Sequence, residues 1–236
     1  MKDYIFGRNT VTATLKQGTK PKHVYLFNKG NYPEIVSLCK EMGVRPQFVD
    51  KQVLDRMVKG AHQGIVMEVE GYEYTDIETI VANAQTKLIV VCDQLEDPHN
   101  LGAILRSCDA VNADGVVVGK NRSVGLNATV AKVSTGAINT VPVAQVTNLV
   151  QTLNYLKENG YWVVAAENGV DAVEYDTFNV DVPIALVVGS EGKGVSRLVK
   201  KECDILTTIP MHGTVNSLNV SVATGILLFD IVRRRK

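Results

Sequence analysis

Six short, almost wholly apolar runs punctuate the chain from Lys87 onward: Leu88–Cys92, Val116–Val118, Val141–Val143, Trp162–Ala165, Ile184–Val188 and Ile205–Ile209. A strand with one face in water alternates apolar and polar residues. Unbroken apolar runs of this length therefore call for a sheet covered on both faces, the arrangement of parallel strands joined by crossover helices. Helical spacing between the runs, over Leu101–Val111, Asn127–Gly136, Asn148–Asn159, Ser196–Glu202 and a long last stretch Ser217–Arg233, supplies those helices. The expected fold class is α/β with a mostly parallel sheet.

Ahead of this pattern lies a smaller α/β alternation. Helices are expected over Asn9–Gln17, Pro33–Met42 and Lys51–Val58, the last capped by Asp50, with strands over His23–Phe27, Arg45–Val49 and Gly64–Val69. Polar residues and one weak helix, Ile77–Ala84, follow. The chain thus divides into a small domain over residues 1–70, a linker over 71–85 and a larger domain over 86–236. An apolar fraction of 45% supports a sizeable core in each.

With 25 basic residues against 25 acidic ones, bulk attraction cannot recruit a polyanion, so any nucleic-acid site has to be a local patch. Arg8, Lys16, Lys20 and Lys22 give the first domain such a basic bias, and the chain ends Arg233-Arg234-Arg235-Lys236, either a solvated tail or an RNA contact. Cys39, Cys92, Cys108 and Cys203 form no Cys-x-x-Cys pair and sit among apolar neighbours, as free thiols do in the reducing cytoplasm. His62, His99 and His212 show no metal-ligand spacing, so no metal is expected, and no apolar stretch is long enough to span a membrane.

Three apolar runs lead into unusual polar turns: LIVVC into DQLEDPHNLG, IALVV into GSEGKG, and ILTTI into PMHGTVNSLN. Ligands of open parallel sheets bind beyond the carboxyl ends of the strands, so these turns are placed to converge. In GSEGKG the glycines let backbone amides come close to a ligand, yet Glu191 sits where a pyrophosphate would need positive charge. The run is neither a dinucleotide fingerprint nor a Walker loop, which disfavours a nucleotide-dependent oxidoreductase; a phosphate-free cationic ligand avoids the conflict. Taken locally, Asn100 and Ser217 are equally readable as helix N-caps, and Arg106 as a surface arginine.

The segments NLGAILRSCDAVNADGVVV, LVVGSEGKGVSRLV and IPMHGTVNSLNVSVATGILLFDIVRR, in this order, resemble the three signature motifs of the SpoU/TrmH family of SPOUT RNA 2′-O-methyltransferases. IFGRNTVTATL and HQGIVMEV resemble the L30e-like RNA-binding domain of its RlmB-type members, which methylate a guanosine in the peptidyl-transferase region of large-subunit ribosomal RNA. The resemblance implies a deep trefoil knot, an obligate homodimer and methyl transfer from S-adenosylmethionine to a ribose 2′-hydroxyl. It also implies that Gly189, Glu191, Gly192, Ile209, Met211, Ser217 and Leu218 hold the cofactor. Asn100, Arg106, Glu191, Ser217 and Asn219 would line the catalytic pocket, with Arg106 reaching it across the dimer interface. Each position carries the residue type that the family pattern asks for.

For Arg106 the resemblance implies the role of proton acceptor. A guanidinium stays protonated, with a pKa above about 12, so clamping the neighbouring phosphate and stabilising the developing oxyanion is an equally good role. Two alternatives stand beside the ribosomal substrate: a transfer-RNA ribose methyltransferase of the same family, and an RNA-binding assembly factor without turnover. The extra N-terminal domain weighs against the first, and the intact polar set against the second.

Overall fold

The computed structural model describes residues 2–16, 18–169 and 171–235. Gln17, the expected last residue of the first helix, and Lys236 of the basic tail lie outside them. The chain forms two compact units, residues 1–73 and 74–236.

In the first unit, strands β1 (Lys2–Phe6), β2 (His23–Phe27), β3 (Gln47–Val49) and β4 (Ile65–Glu70) alternate with helices α1 (Arg8–Lys16), α2 (Pro33–Glu41) and α3 (Lys51–Met57). The sheet order is β1-β4-β2-β3, with β2 and β3 parallel and the other pairs antiparallel. Sequence reading misses β1, because Tyr4, Ile5 and Phe6 are only partly buried and pairing with β4 decides the strand. Alternation along β2 buries Val24 and Leu26 with Val11, Leu15, Ile35 and Cys39 on one face. Leu54, Val58 and Val66 form a second, smaller core on the other side. Asp50 takes the N-cap position of α3 without a capping bond; its carboxylate accepts from Asn28 Nδ2 at 2.7 Å instead.

The second unit begins earlier than the expected linker allows. Helix α4 (Ile77–Asn83), capped by Asp76, buries Ile77 and Ile80 in the core of this unit, so the polar stretch 71–85 is only partly a connection. Strands β5 (Leu88–Cys92), β6 (Gly115–Gly119), β7 (Val143–Val146), β8 (Trp162–Ala166), β9 (Val173–Glu174), β10 (Ile184–Val188) and β11 (Ile205–Thr208) follow. They form one sheet, in the order β7-β6-β5-β10-β8-β11-β9, and every pairing in it is parallel. Helices α5 (Pro98–Ala110), α6 (Ala128–Ser134), α7 (Leu149–Glu158), α8 (Arg197–Lys201) and α9 (Val220–Arg234) make the crossovers and the C-terminal end. All five residues of β5, β6 and β10 are buried, the two-sided covering that unbroken apolar runs require. The third apolar run begins two residues late, at Val143, because Pro142 has no N–H to give; its carbonyl still accepts from Val116 at 2.9 Å.

Side chains fasten the ends of this unit. The Asp114 carboxylate accepts from the backbone N–H groups of Gln85, Thr86 and Leu88 at 2.5, 2.9 and 2.8 Å, fixing the approach to β5. Two arginines of the basic tail, Arg234 and Arg235, are tied down, while Arg233 stays exposed. Arg234 pairs with the buried Asp230 at 2.7 Å and donates to the carbonyls of Phe178 and Tyr175. Arg235 donates to the carbonyls of Thr86, Lys87, Val180 and Val182. Burial among these groups lowers the Arg235 pKa from its ordinary value.

Candidate active site

The carboxyl ends of β8, β10 and β11 open on a common cleft of about 590 Å3, as the rule for open parallel sheets demands. After β10, residues 189–194 fold back on themselves. Ser190 and Gly194 exchange two backbone hydrogen bonds of 3.2 and 2.9 Å. This closure explains Gly189 without a ligand, since a Cβ there would lie 2.1 Å from the carbonyl carbon of Gly194. Gly192 has φ +79° with open space around it, so its backbone is the part of the turn free to meet a bound molecule.

The turn is held from behind. Glu167, just past β8, accepts from Val195 N at 2.9 Å, and the buried Asp93, just past β5, accepts from Ser196 N at 2.7 Å. After β11 the chain runs through Ile209, Met211, Ser217 and Leu218 along the cleft before α9 begins. The N-cap of α9 is Asn219, not Ser217: its Oδ1 accepts from Ser221 N and Val222 N at 3.0 and 3.3 Å. Likewise α5 is capped by Asp97, which accepts from His99 N at 2.9 Å, so Asn100 lies inside the helix, buried and available for another role.

That role is to join the three motifs. Asn100 Nδ2 donates to Glu191 Oε1 at 3.1 Å, while Asn219 Nδ2 donates to both Asn100 Oδ1 (2.9 Å) and Glu191 Oε1 (2.5 Å). Residues separated by as many as 119 positions thus close a ring of hydrogen bonds beside the cleft. Glu191 and Asn219 line the cleft, and Asn100 supports both from outside its wall.

Gly189, Glu191, Gly192, Ile209, Met211, Ser217 and Leu218 all border the cleft. Arg106 does not; it is exposed on α5, two helical turns from Asn100. Sequence reading missed Glu167, Asn168, Lys193 and Thr208, which also border the cleft. The first two follow an apolar run, Trp162–Ala165, that ends in an unremarkable AENG; the position past a parallel strand was the available signal. Among the described lining residues the charged groups are Glu167, Glu191 and Lys193. Two carboxylates against one ammonium and no arginine suit a cationic or neutral ligand and disfavour a phosphate. Among the described residues no group of three or more His, Cys, Asp or Glu is arranged to hold a metal, and no helix is long and apolar enough to cross a membrane.

In the first unit, Arg8 lies over the Tyr32 ring at 5.0 Å and donates to the Asn31 carbonyl, so its guanidinium is held on the surface rather than swinging freely. Lys16 pairs with Glu34 at 2.7 Å; Lys20 and Lys22 are exposed.

Comparison with known proteins places the fold in a family. Residues 87–229 match the model of the SpoU rRNA methylase family, and residues 4–75 match that of RNA 2′-O ribose methyltransferase substrate binding. A putative TrmH family tRNA/rRNA methyltransferase of Bacillus subtilis (strain 168) is 47% identical over 243 residues, covering 99% of this chain and 96% of that one. The crystal structure of an AdoMet-bound rRNA methyltransferase from Sinorhizobium meliloti is similar with a TM-score of 0.65 at 25% identity, over 98% of this chain and 87% of that one. That of a TrmH/SpoU tRNA modifying enzyme from A. aeolicus has a TM-score of 0.59 at 34% identity, over 66% of this chain and 78% of that one. The family matches over residues 4–75 and 87–229, with a relative 47% identical over nearly the whole of both chains, make this chain a member of the SpoU/TrmH family of RNA methyltransferases.

Proposed function

We propose that this protein methylates a ribose 2′-hydroxyl of ribosomal RNA, at a guanosine of the peptidyl-transferase region, with S-adenosylmethionine as donor. The observation that carries the reading is the ring of Asn100, Glu191 and Asn219 beside a cleft that suits a sulfonium and not a phosphate. Its volume falls in the range of about 300–1,000 Å3 that suits small-molecule ligands. Gly189, Gly192, Ile209, Met211 and Leu218 would hold the cofactor, chiefly through backbone groups, with Glu191 and Ser217 at its reacting end. When bound, the cofactor supplies an electrophilic methyl group. The protein's part is then to place the ribose oxygen in line with it, and positioning of that kind contributes about 7–11 kcal/mol.

Arg106 enters from a second copy of the chain. Val222, Ile226, Phe229 and Val232 repeat at helical spacing on α9 and are exposed by 37–55%, an apolar stripe suited to a homodimer interface. The helix packs beside α5, so a partner docked there would meet the exposed Arg106. Its guanidinium, always protonated, would clamp the phosphate next to the target ribose and steady the oxyanion. Arg106→Ala should abolish methyl transfer and leave S-adenosylmethionine affinity within about twofold; loss of cofactor binding would refute this role. The trefoil knot that the family resemblance implies belongs to the same reading. Free buried thiols suit the reducing cytoplasm.

Ribosomal rather than transfer RNA is favoured by coverage. The S. meliloti rRNA enzyme aligns over nearly the whole chain, whereas the A. aeolicus tRNA enzyme aligns over two-thirds of it. Arg8, Lys16, Lys20 and Lys22 would then contribute the RNA surface of the first unit. Mapping 2′-O-methyl marks on ribosomal and transfer RNA from cells with and without the protein tests the substrate. A mark lost from transfer RNA alone would overturn the ribosomal assignment.

A further inference from the structure

Within residues 209–218, Ile209, Met211, Asn216, Ser217 and Leu218 form one wall of the cleft, and among the described residues the whole stretch takes part in a single hydrogen bond. Asn168 Nδ2 donates to the Asn216 carbonyl at 3.0 Å. Asn168 is itself fixed, because its Oδ1 accepts from the Thr208 hydroxyl at 2.6 Å. One exposed side chain beyond β8 therefore grips the wall near both ends: where it leaves β11, and just before Ser217. Among the described residues, the backbone between has no hydrogen-bond partner, and ordering such a stretch opposes the conformational entropy of each residue.

We propose that Asn168 is a positioning residue for the methyl donor: it holds residues 209–218 against the cleft, so that Met211, Ser217 and Leu218 are in place when the donor arrives. The inference rests on the cleft being the S-adenosylmethionine site. It adds a coupling: donor binding and closure of this wall share one hydrogen bond. Removal of that bond opens the wall without disturbing the sheet, because β11 is paired with β8 and α9 is capped independently by Asn219.

Two variants test it in the full-length protein. Asn168→Ala removes the grip, and Asn168→Asp keeps the acceptor for Thr208 while deleting the donor to Asn216. Both should bind S-adenosylmethionine about tenfold more weakly by calorimetry, the upper scale of one neutral hydrogen bond. KM for the donor should rise with kcat within about twofold and Tm unchanged. In the ligand-free protein, thermolysin cleavage before Val215 and Leu218 should quicken by a similar factor. Wild-type affinity and wild-type cleavage in both variants would overturn the role, as would a fall in Tm with cleavage raised throughout the second unit. Failure of the wild-type protein to bind S-adenosylmethionine would instead overturn the assignment of the cleft, and the cleavage measurement would still decide whether Asn168 holds the wall.

Discussion

Residues 189–196 and residues 209–218 border the same cleft, yet the first wall is stitched and the second hangs by one bond. Reciprocal backbone bonds between Ser190 and Gly194, a carboxylate from Glu167 on Val195 and another from Asp93 on Ser196 fix the first. Only Asn168 fixes the second, among the described residues. A preformed wall presents its amides to a ligand at no ordering cost, and a loose wall lets the ligand in and then closes on it. The difference also divides the expected responses: perturbing the first wall should unfold, perturbing the second should unbind.

The largest effect should come from alkali. Burial, then the charge of Asp93, pushes the Cys92 thiol up to about 12 from its usual value near 9, and Cys203 and the Tyr161 hydroxyl reach about 12 by burial as well. Their folded pKa values are raised, so between pH about 9 and about 12 the folded chain keeps protons that the unfolded chain releases. Stability from these groups is complete below that window and is lost as pH climbs through it. Denaturant unfolding across this range should show falling stability of the second unit, and Cys92→Val should flatten the slope. A pH-independent midpoint would mean that β5, which ends beside the Asp93 that holds the stitched wall, is less sheltered than its burial indicates.

Next in size is a pair of glycines, one in each wall. Gly189→Ala places a methyl 2.1 Å from backbone of the same turn, which cannot retreat without breaking the Ser190–Gly194 closure. A loss of about 3 kcal/mol, at the upper end for overpacking, is expected in thermal or denaturant unfolding. Gly213→Ala meets nothing within 4 Å, and should stay within about 0.5 kcal/mol of the parent. Equal losses at the two positions would erase the contrast between the walls.

Most of the second unit's frame was legible because its strands are buried on both faces, and composition alone then announces them. Leu88–Cys92 and Ile184–Val188 fall where the apolar runs place them. β1 was not legible, since pairing with a strand sixty residues away decides it. The convergence of the motif turns followed from topology, but the partners inside them did not. Ser217 and Asn100 look like caps locally, and only the fold shows that Asp97 and Asn219 fill those positions, freeing Asn100 for the ring. Glu167 and Asn168 carry no local pattern at all; their importance lies in which loops the sheet brings beside β8. The tail arginines resemble any basic terminus until the carbonyls of residues 86, 87, 180 and 182 surround Arg235.

A smaller effect on folding than that of Gly189→Ala is expected at Asn100, where the two walls meet. Its amide donates to Glu191 in the stitched wall and accepts from Asn219 at the end of the loose one, so it sets their separation without bordering the cleft. Asn100→Ala removes both contacts but leaves Asn219 on Glu191 at 2.5 Å and every cap intact. Stability should fall by about 1 kcal/mol, the net worth of a typical hydrogen bond. If the cleft holds donor and ribose as proposed, turnover should fall further, by about tenfold or more, because misplacing Glu191 and Asn219 would disturb their alignment. Asn100→Asp is the sharper substitution: it sets a second carboxylate 3.1 Å from Glu191 in place of a donor, so the walls repel where they were joined. Methyl transfer by the Asp variant should be weaker than by the Ala variant, and lowering the pH toward the carboxylate range should narrow the gap between them. If the two variants transfer methyl groups equally at every pH, Glu191 is not held by Asn100 in the working enzyme, and the walls close independently of each other.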